Sequence, residues 1–109
     1  MTATVPPYAE QRYLALARAN AVRSERARLL GSTAGRKTVS PERVAELVLE
    51  VPEALANMEI EDVLVRAQRW REARVRGLLA RLGISGVRSL GALSVRQREQ
   101  IAARLRGEQ

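Results

Sequence analysis

The chain has 109 residues, enough for one self-sufficient core and an appended helix or tail, since a domain needs roughly 100 residues to bury one. Nineteen basic residues stand against twelve acidic ones for a net charge of +7, and eighteen of the nineteen are Arg, Lys37 being the one lysine, so the balance favours an anionic partner. With neither Cys nor His, a disulfide framework, a thiolate metal site and imidazole acid–base chemistry are excluded; no apolar run approaches the ~20 residues of a membrane span, and the first residues lack a secretion signal, so a soluble, cytoplasmic chain is expected, with no membrane partner.

Residues 8–30 lack Gly and Pro and are dominated by good helix formers, which predicts one long helix entered after Pro6 and Pro7. Its apolar face is thin. Leu14, Ala17 and Ala21 align at helical spacing, while Leu16, Val22, Leu29 and Leu30 scatter around the wheel, so the helix is expected to be poorly anchored by itself. Arg12, Arg23 and Arg26 fall within about 60° of one another, a basic stripe that is either a solvated face or a phosphate-binding one.

Residues 31–40, GSTAGRKTVS, carry two glycines, four hydroxyl side chains and the pair Arg36 and Lys37, and read as a flexible linker and boundary. Ser40 then has the character of an N-cap, with Pro41 at the first helical position and Glu42 in the first turn, predicting a helix over 41–50 that buries Val44, Leu47, Val48 and Val51. Pro52 ends it. A short helical turn over 52–57 leads into a helix over 60–66.

The next stretch decides the architecture. If residues 60–82 formed one helix, Leu64, Ala67, Val75, Leu78 and Leu82 would share a face with Arg71 in its middle, and burying an unpaired Arg is costly. A break near residues 68–71 removes the conflict, giving two short helices joined by a tight turn that exposes Arg69 and Arg71. The second helix stops at Gly83. Residues 84–93 read as irregular. Ser94 and Gln97 form a capping-box pattern for a last helix from Val95 to about Arg106, with Ile101 and Leu105 inward. No segment carries a strand signal, so the expected fold is all-α: a long N-terminal helix followed by a compact helix-two-turn-helix type of domain.

Charge is segregated along this map. Residues 1–41 carry seven basic and two acidic groups (+5), residues 42–62 one and seven (−6), and residues 63–109 eleven and three (+8). A basic module on a compact helical unit is the electrostatic footprint of a nucleic-acid binder. The candidate contacts are Arg69, Arg71 and Arg74 around the expected turn, with Arg23 and Arg26 from the stripe. Catalysis is not expected: there is no Walker-type or G-x-G-x-x-G loop and no carboxylate pair beside an acid–base partner, and no cofactor is implied. Glu59, Glu61 and Asp62 suit a helix's first turn better than a metal. Trp70 reads as a core anchor in preference to an intercalating wedge.

From Met58 to about Ile101, the pattern M-x-I-x-x-V-L at 58–64, L-L-x-x-L-x-I at 78–84, then Arg88, Leu90, Leu93 and R-Q-R at 96–98 resembles the actinobacterial integration host factors. The Ala- and Arg-rich residues 12–30 also resemble their long N-terminal helix. The resemblance implies a long helix over residues 1–31 with its tail, and a nucleic-acid-binding domain over 40–109. It implies binding of double-stranded DNA with little sequence preference, bending or compacting it in the nucleoid, and assisting phage integration, with an integrase–DNA complex as a further partner. It adds Arg88, Arg96 and Arg98 to the candidate contacts. Where the family places a glycine-containing P-x-V-G-K-like hairpin, this chain reads Gln68, Arg69, Trp70, Arg71, Glu72, and near Arg88 it has Ser89 and Gly91 where the family tends to be basic. These departures point to a divergent relative, of a kind that a phage or mobile element carries.

Two readings from other classes stay open: an RNA-binding module of the same helical type, and a protein-interaction adaptor in which the −6 segment faces the +8 half. A monomer is the expected state.

Overall fold

The computed structural model describes residues 7–31 and 39–107, with side chains from residue 10 onward. The linker expected over residues 31–40 falls mostly on residues 32–38, outside the described residues, as do Arg36 and Lys37. Among the described residues six α-helices follow one another: α1 (Pro7–Leu30), α2 (Pro41–Glu50), α3 (Glu53–Ala56), α4 (Ile60–Leu64), α5 (Glu72–Leu82) and α6 (Val95–Leu105), with one 3-10 turn at Leu90–Ala92. Among the described residues, extended pairing is limited to two isolated bridges, Val39 with Ala67 and Glu59 with Ser89.

Local chemistry sets most of the boundaries. The Ser40 side chain accepts from the Arg43 N–H ahead of Pro41, and Ser94 and Gln97 form a reciprocal capping box at α6. Gly83, at φ 69°, ends α5 in the left-handed conformation, and the Ile84 N–H closes back onto the Leu79 carbonyl at 2.9 Å. Helix α2 ends on Val51, whose φ of 50° is unusual for a β-branched residue. Pro52 follows it and starts α3. Helix α4 ends at Leu64, two residues short of the expected 66, because the Arg66 and Ala67 N–H groups turn back to the Val63 and Leu64 carbonyls in the tight turn that follows.

The core is one cluster. Val44, Leu47 and Val48 of α2, Ile60, Val63 and Leu64 of α4, Val75 of α5 and Ile101 of α6 are fully buried in it, and no polar or charged side chain is buried among the described residues. Val51 and Leu82 lie at its edge. Helices α2 and α6 share the most extensive helix contact. The loop after α5 docks on the start of α4: the Ile60 N–H donates to the Arg88 carbonyl at 2.8 Å and the Glu61 N–H to that of Gly86 at 3.1 Å. Those carbonyls satisfy donors that a helix start otherwise leaves orphaned. A Cβ on Gly86 would lie 2.7 Å from Glu61 Oε2, the movable end of that side chain, and 3.2 Å from Glu61 Cβ, so the loop and α4 approach closely here.

Helix α1 is different. Its 24 residues extend about 36 Å, and it meets the core only at its C-terminal end, through buried Leu30 and half-buried Leu29. Tyr13, Leu14 and Leu16 are 73%, 54% and 56% exposed. The expected Leu14, Ala17 and Ala21 line is therefore exposed, as its thinness suggested, with Ala21 facing Pro52 and Ala54 across a shallow groove. Among the described residues no helix is long and apolar enough to cross a membrane.

Candidate nucleic-acid interface

The break between α4 and α5 exposes Arg69 and Arg71 and buries Trp70 between them. Two backbone features make the turn. The Gln68 N–H donates to the Val39 carbonyl at 2.9 Å, tying the turn to the segment before α2, and Arg69 adopts a left-handed φ of 69°. Glycine adopts that conformation without cost, whereas an L side chain meets the following carbonyl. The chain thus forms the hairpin without a glycine, at a strained Arg69. Arg71 stands at the N-cap of α5, where no side chain caps the first N–H groups.

Trp70 is the anchor of the turn, 5% exposed and part of the core cluster. The Arg74 guanidinium lies over its ring with Cζ 3.9 Å from the centroid, and Arg74 Nη1 donates to the Arg69 carbonyl at 3.3 Å. Arg69, Arg71 and Arg74 are thereby gathered around one turn and the first turn of α5. Arg88 and Arg96 belong to a second set: Arg88 is exposed on the loop docked against α4 and donates to the Ala92 carbonyl at 3.4 Å, while Arg96 is exposed in the first turn of α6.

The remaining candidates divide. Arg23 is exposed on α1. Arg26 is half-buried and donates through Nε to the Ala54 carbonyl at 2.7 Å, pinning α1 to α3. Arg98, also half-buried, donates to the Leu49 carbonyl at 3.0 Å near the C-terminal end of α2. Arg66, which was not among the candidates, does the same for α1 by donating to the Gly31 carbonyl at 3.1 Å. Cationic side chains suit helix C-termini, where carbonyls are unpaired and the dipole is negative.

The acidic and basic segments also meet locally. Arg76 pairs with Glu61 at 2.8 Å and with Glu72 at 3.9 Å, and both raise its pKa above the ordinary arginine value, the hydrogen bond that Arg76 donates to Glu61 foremost. By contrast, Arg69, Arg71, Arg74, Arg81, Arg88, Arg96 and Arg104 form no ion pair among the described residues. Arg81 and Arg104, passed over in the sequence, line a groove with Trp70 and Arg74. Arg81 was within reach of the periodicity, standing seven residues beyond Arg74 on one helix; Arg104 needed the pairing of α5 with α6. Among the described residues there is no group of three or more acidic side chains placed to hold a metal ion.

The arrangement defines a small all-helical protein in which two turns, each carrying exposed arginines, connect α4, α5 and α6 of one core, with the long N-terminal helix attached through its C-terminal end. No protein-family model and no curated protein matches the chain. Its fold is similar to that in a solved structure of sIHF bound to an 8 bp palindromic DNA, with a TM-score of 0.55 and 28% sequence identity over 84% of this chain and 98% of that one. The chain has an IHF-like fold.

Proposed function

We propose that this chain is an integration-host-factor-like, nucleoid-associated protein that binds double-stranded DNA through its phosphate backbone with low sequence specificity, and bends or compacts it. The carrying observation is the turn between α4 and α5. Its exposed Arg69 and Arg71 adjoin the side-chain-uncapped N-terminus of α5, so guanidinium groups and backbone N–H groups converge where a phosphate would sit. The similar fold of sIHF, solved with duplex DNA, supports the same partner here. Arg74, Arg88, Arg96 and Arg23 extend the contact, while Arg26 and Arg98 chiefly hold helices together. On α6 the glutamine between Arg96 and Arg98, Gln97, spends its side chain on the capping box and faces no base edge, which favours backbone binding. A role in an integrase–DNA complex, of host or phage, is consistent with this chemistry.

Fluorescence anisotropy with random-sequence duplex over a salt series tests the reading. The logarithm of the affinity should fall linearly with that of salt, with a slope of about −0.9 per phosphate neutralised. Salt-insensitive affinity, strong preference for one site, or tighter binding to structured RNA would each defeat it.

A further inference from the structure

Beyond the two turns, α5 and the end of α6 enclose an open groove of about 400 Å³ whose walls carry Trp70, Arg74, Gly77, Arg81 and Arg104. Arg74 and Arg81, seven residues apart, fall within about 20° of each other on α5 and about 10 Å apart along its axis. Arg76 points to the opposite side, tied to Glu61. The three groove arginines are exposed and form no ion pair among the described residues. Convergent cations without a counter-charge raise the local potential and attract an anion.

Gly77 is the second observation. It lies in the interior of α5, where glycine is a poor helix former, yet it has no left-handed φ and a Cβ added there would meet nothing within 4 Å. Neither backbone conformation nor packing calls for glycine. Its effect is to leave the groove wall bare between Arg74 and Arg81.

The geometry points to a second phosphate-binding site: the α5–α6 groove takes backbone phosphates of the same duplex that the turn engages, with Arg81 and Arg104 as its contacts and Arg74 as the link. This rests on the duplex-binding reading. Continuity comes from Arg74, which lines the groove while its Nη1 holds the Arg69 carbonyl of the turn. A strand that leaves the turn along α5 meets Arg81 and Arg104 next. The chain also carries a reporter, since Trp70 is its single tryptophan and lies in the groove wall under Arg74. Phosphates that draw Arg74 off the ring change the emission.

The experiment titrates random-sequence duplex into the full chain, following affinity against salt and Trp70 emission together, for the wild type, Arg81→Gln with Arg104→Gln, Gly77→Glu, and Arg69→Ala with Arg71→Ala. The groove double variant should melt as the wild type does, lose about two units of salt slope, and lose most of the emission change. Gly77→Glu, which sets a carboxylate among the arginines, should weaken binding in the same direction. If the groove double variant keeps the full slope and emission change while the turn double variant loses affinity, the groove proposal is overturned and the duplex reading stands. If the wild type binds no duplex, the duplex reading fails, and inorganic triphosphate decides the groove by itself. A saturable emission change that the groove double variant abolishes would keep the anion site; no change would end it.

Discussion

Arg74 lies over Trp70, its Cζ 3.9 Å from the ring centroid, so a buried anchor and an exposed cation meet at the base of one turn. The two contribute on different scales. Trp70→Ala should cost about 3–5 kcal/mol by emptying its place in the core, whereas Arg74→Ala should cost about 0.5–1 kcal/mol, the worth of an exposed cation–π contact. Thermal melts read both. Trp70→Phe should keep much of the stability and all of the duplex affinity, because a core anchor, unlike an intercalating wedge, never enters the DNA. A loss of affinity in a folded Trp70→Phe protein would make Trp70 a DNA contact.

Arg69 combines strain with exposure. Its left-handed φ of 69° carries a penalty of roughly 1–2 kcal/mol for an L residue, against which glycine loses some chain entropy. Arg69→Gly is therefore expected to leave stability unchanged or raise it by up to about 1 kcal/mol, while weakening duplex binding and shallowing the salt slope by about one unit. Arg69→Val, β-branched in the same conformation, should lower the melting temperature. Equal melting of the two variants would show that the turn relaxes and stores no strain.

How far these features were legible follows from their range along the chain. Ser40 with Pro41, Gly83, and Ser94 with Gln97 act on neighbours within a turn, so their residue types place the ends of α2, α5 and α6 directly. The break before α5 was legible because a continuous helix would set Arg71 in an apolar face. The attachments of Arg26, Arg66 and Arg98 reach across 28, 35 and 49 residues to carbonyls, and no periodicity marks a backbone acceptor. For the same reason the sequence could not separate arginines that hold helices from arginines that face solvent. Arg104 joins the groove only through the packing of α6 on α5.

Duplex binding should be nearly independent of pH between about 5.5 and 7. The chain has no histidine, and no other side chain of ordinary pKa changes charge in that window. The Glu25 carboxyl is held below its ordinary value of 4.5, chiefly by its hydrogen bond from Arg28. A lowered folded-state pKa means that the pairing is fully present above the ordinary value and is lost as pH falls through the folded one, below the window. Being exposed, the pair adds little to stability. A steep affinity change inside the window at constant ionic strength would reveal a titrating group in the interface.

Gly77→Ala should stabilise the fold by about 0.8–1 kcal/mol, the helix-propensity difference at an interior position. The added methyl meets open space, so no steric cost offsets the gain. Chemical denaturation should show a raised midpoint with an unchanged m-value. A lowered midpoint would mean that the groove wall is tighter in solution, with a neighbour against residue 77.

The hydrogen bonds of Arg26, Arg66 and Arg98 to carbonyls predict a division of labour among the arginines. Each of the three side chains is half-buried and donates to a backbone oxygen, on Ala54, Gly31 and Leu49 respectively. A hydrogen bond from a charged donor is worth about 1.5–3 kcal/mol, and partial exposure sets the expectation for these near the lower end. Arg98→Ala should lower the melting temperature most, since it joins α2 to α6, the pair with the most extensive contact, and its removal also strips packing from the aliphatic stem. Arg26→Ala and Arg66→Ala act on the seat of α1, so they should loosen that helix before the core: backbone amides of α1 should exchange hydrogen faster while those of α2 and α6 keep their protection. None of the three should move the salt slope of duplex binding by a full unit, whereas Arg69→Ala or Arg71→Ala should do so with melting unchanged. Measuring both quantities on all five variants sorts the arginines into those that hold helices and those that hold phosphates. A clamp variant that melts like the wild type but loses a unit of slope would move that arginine from the first group to the second.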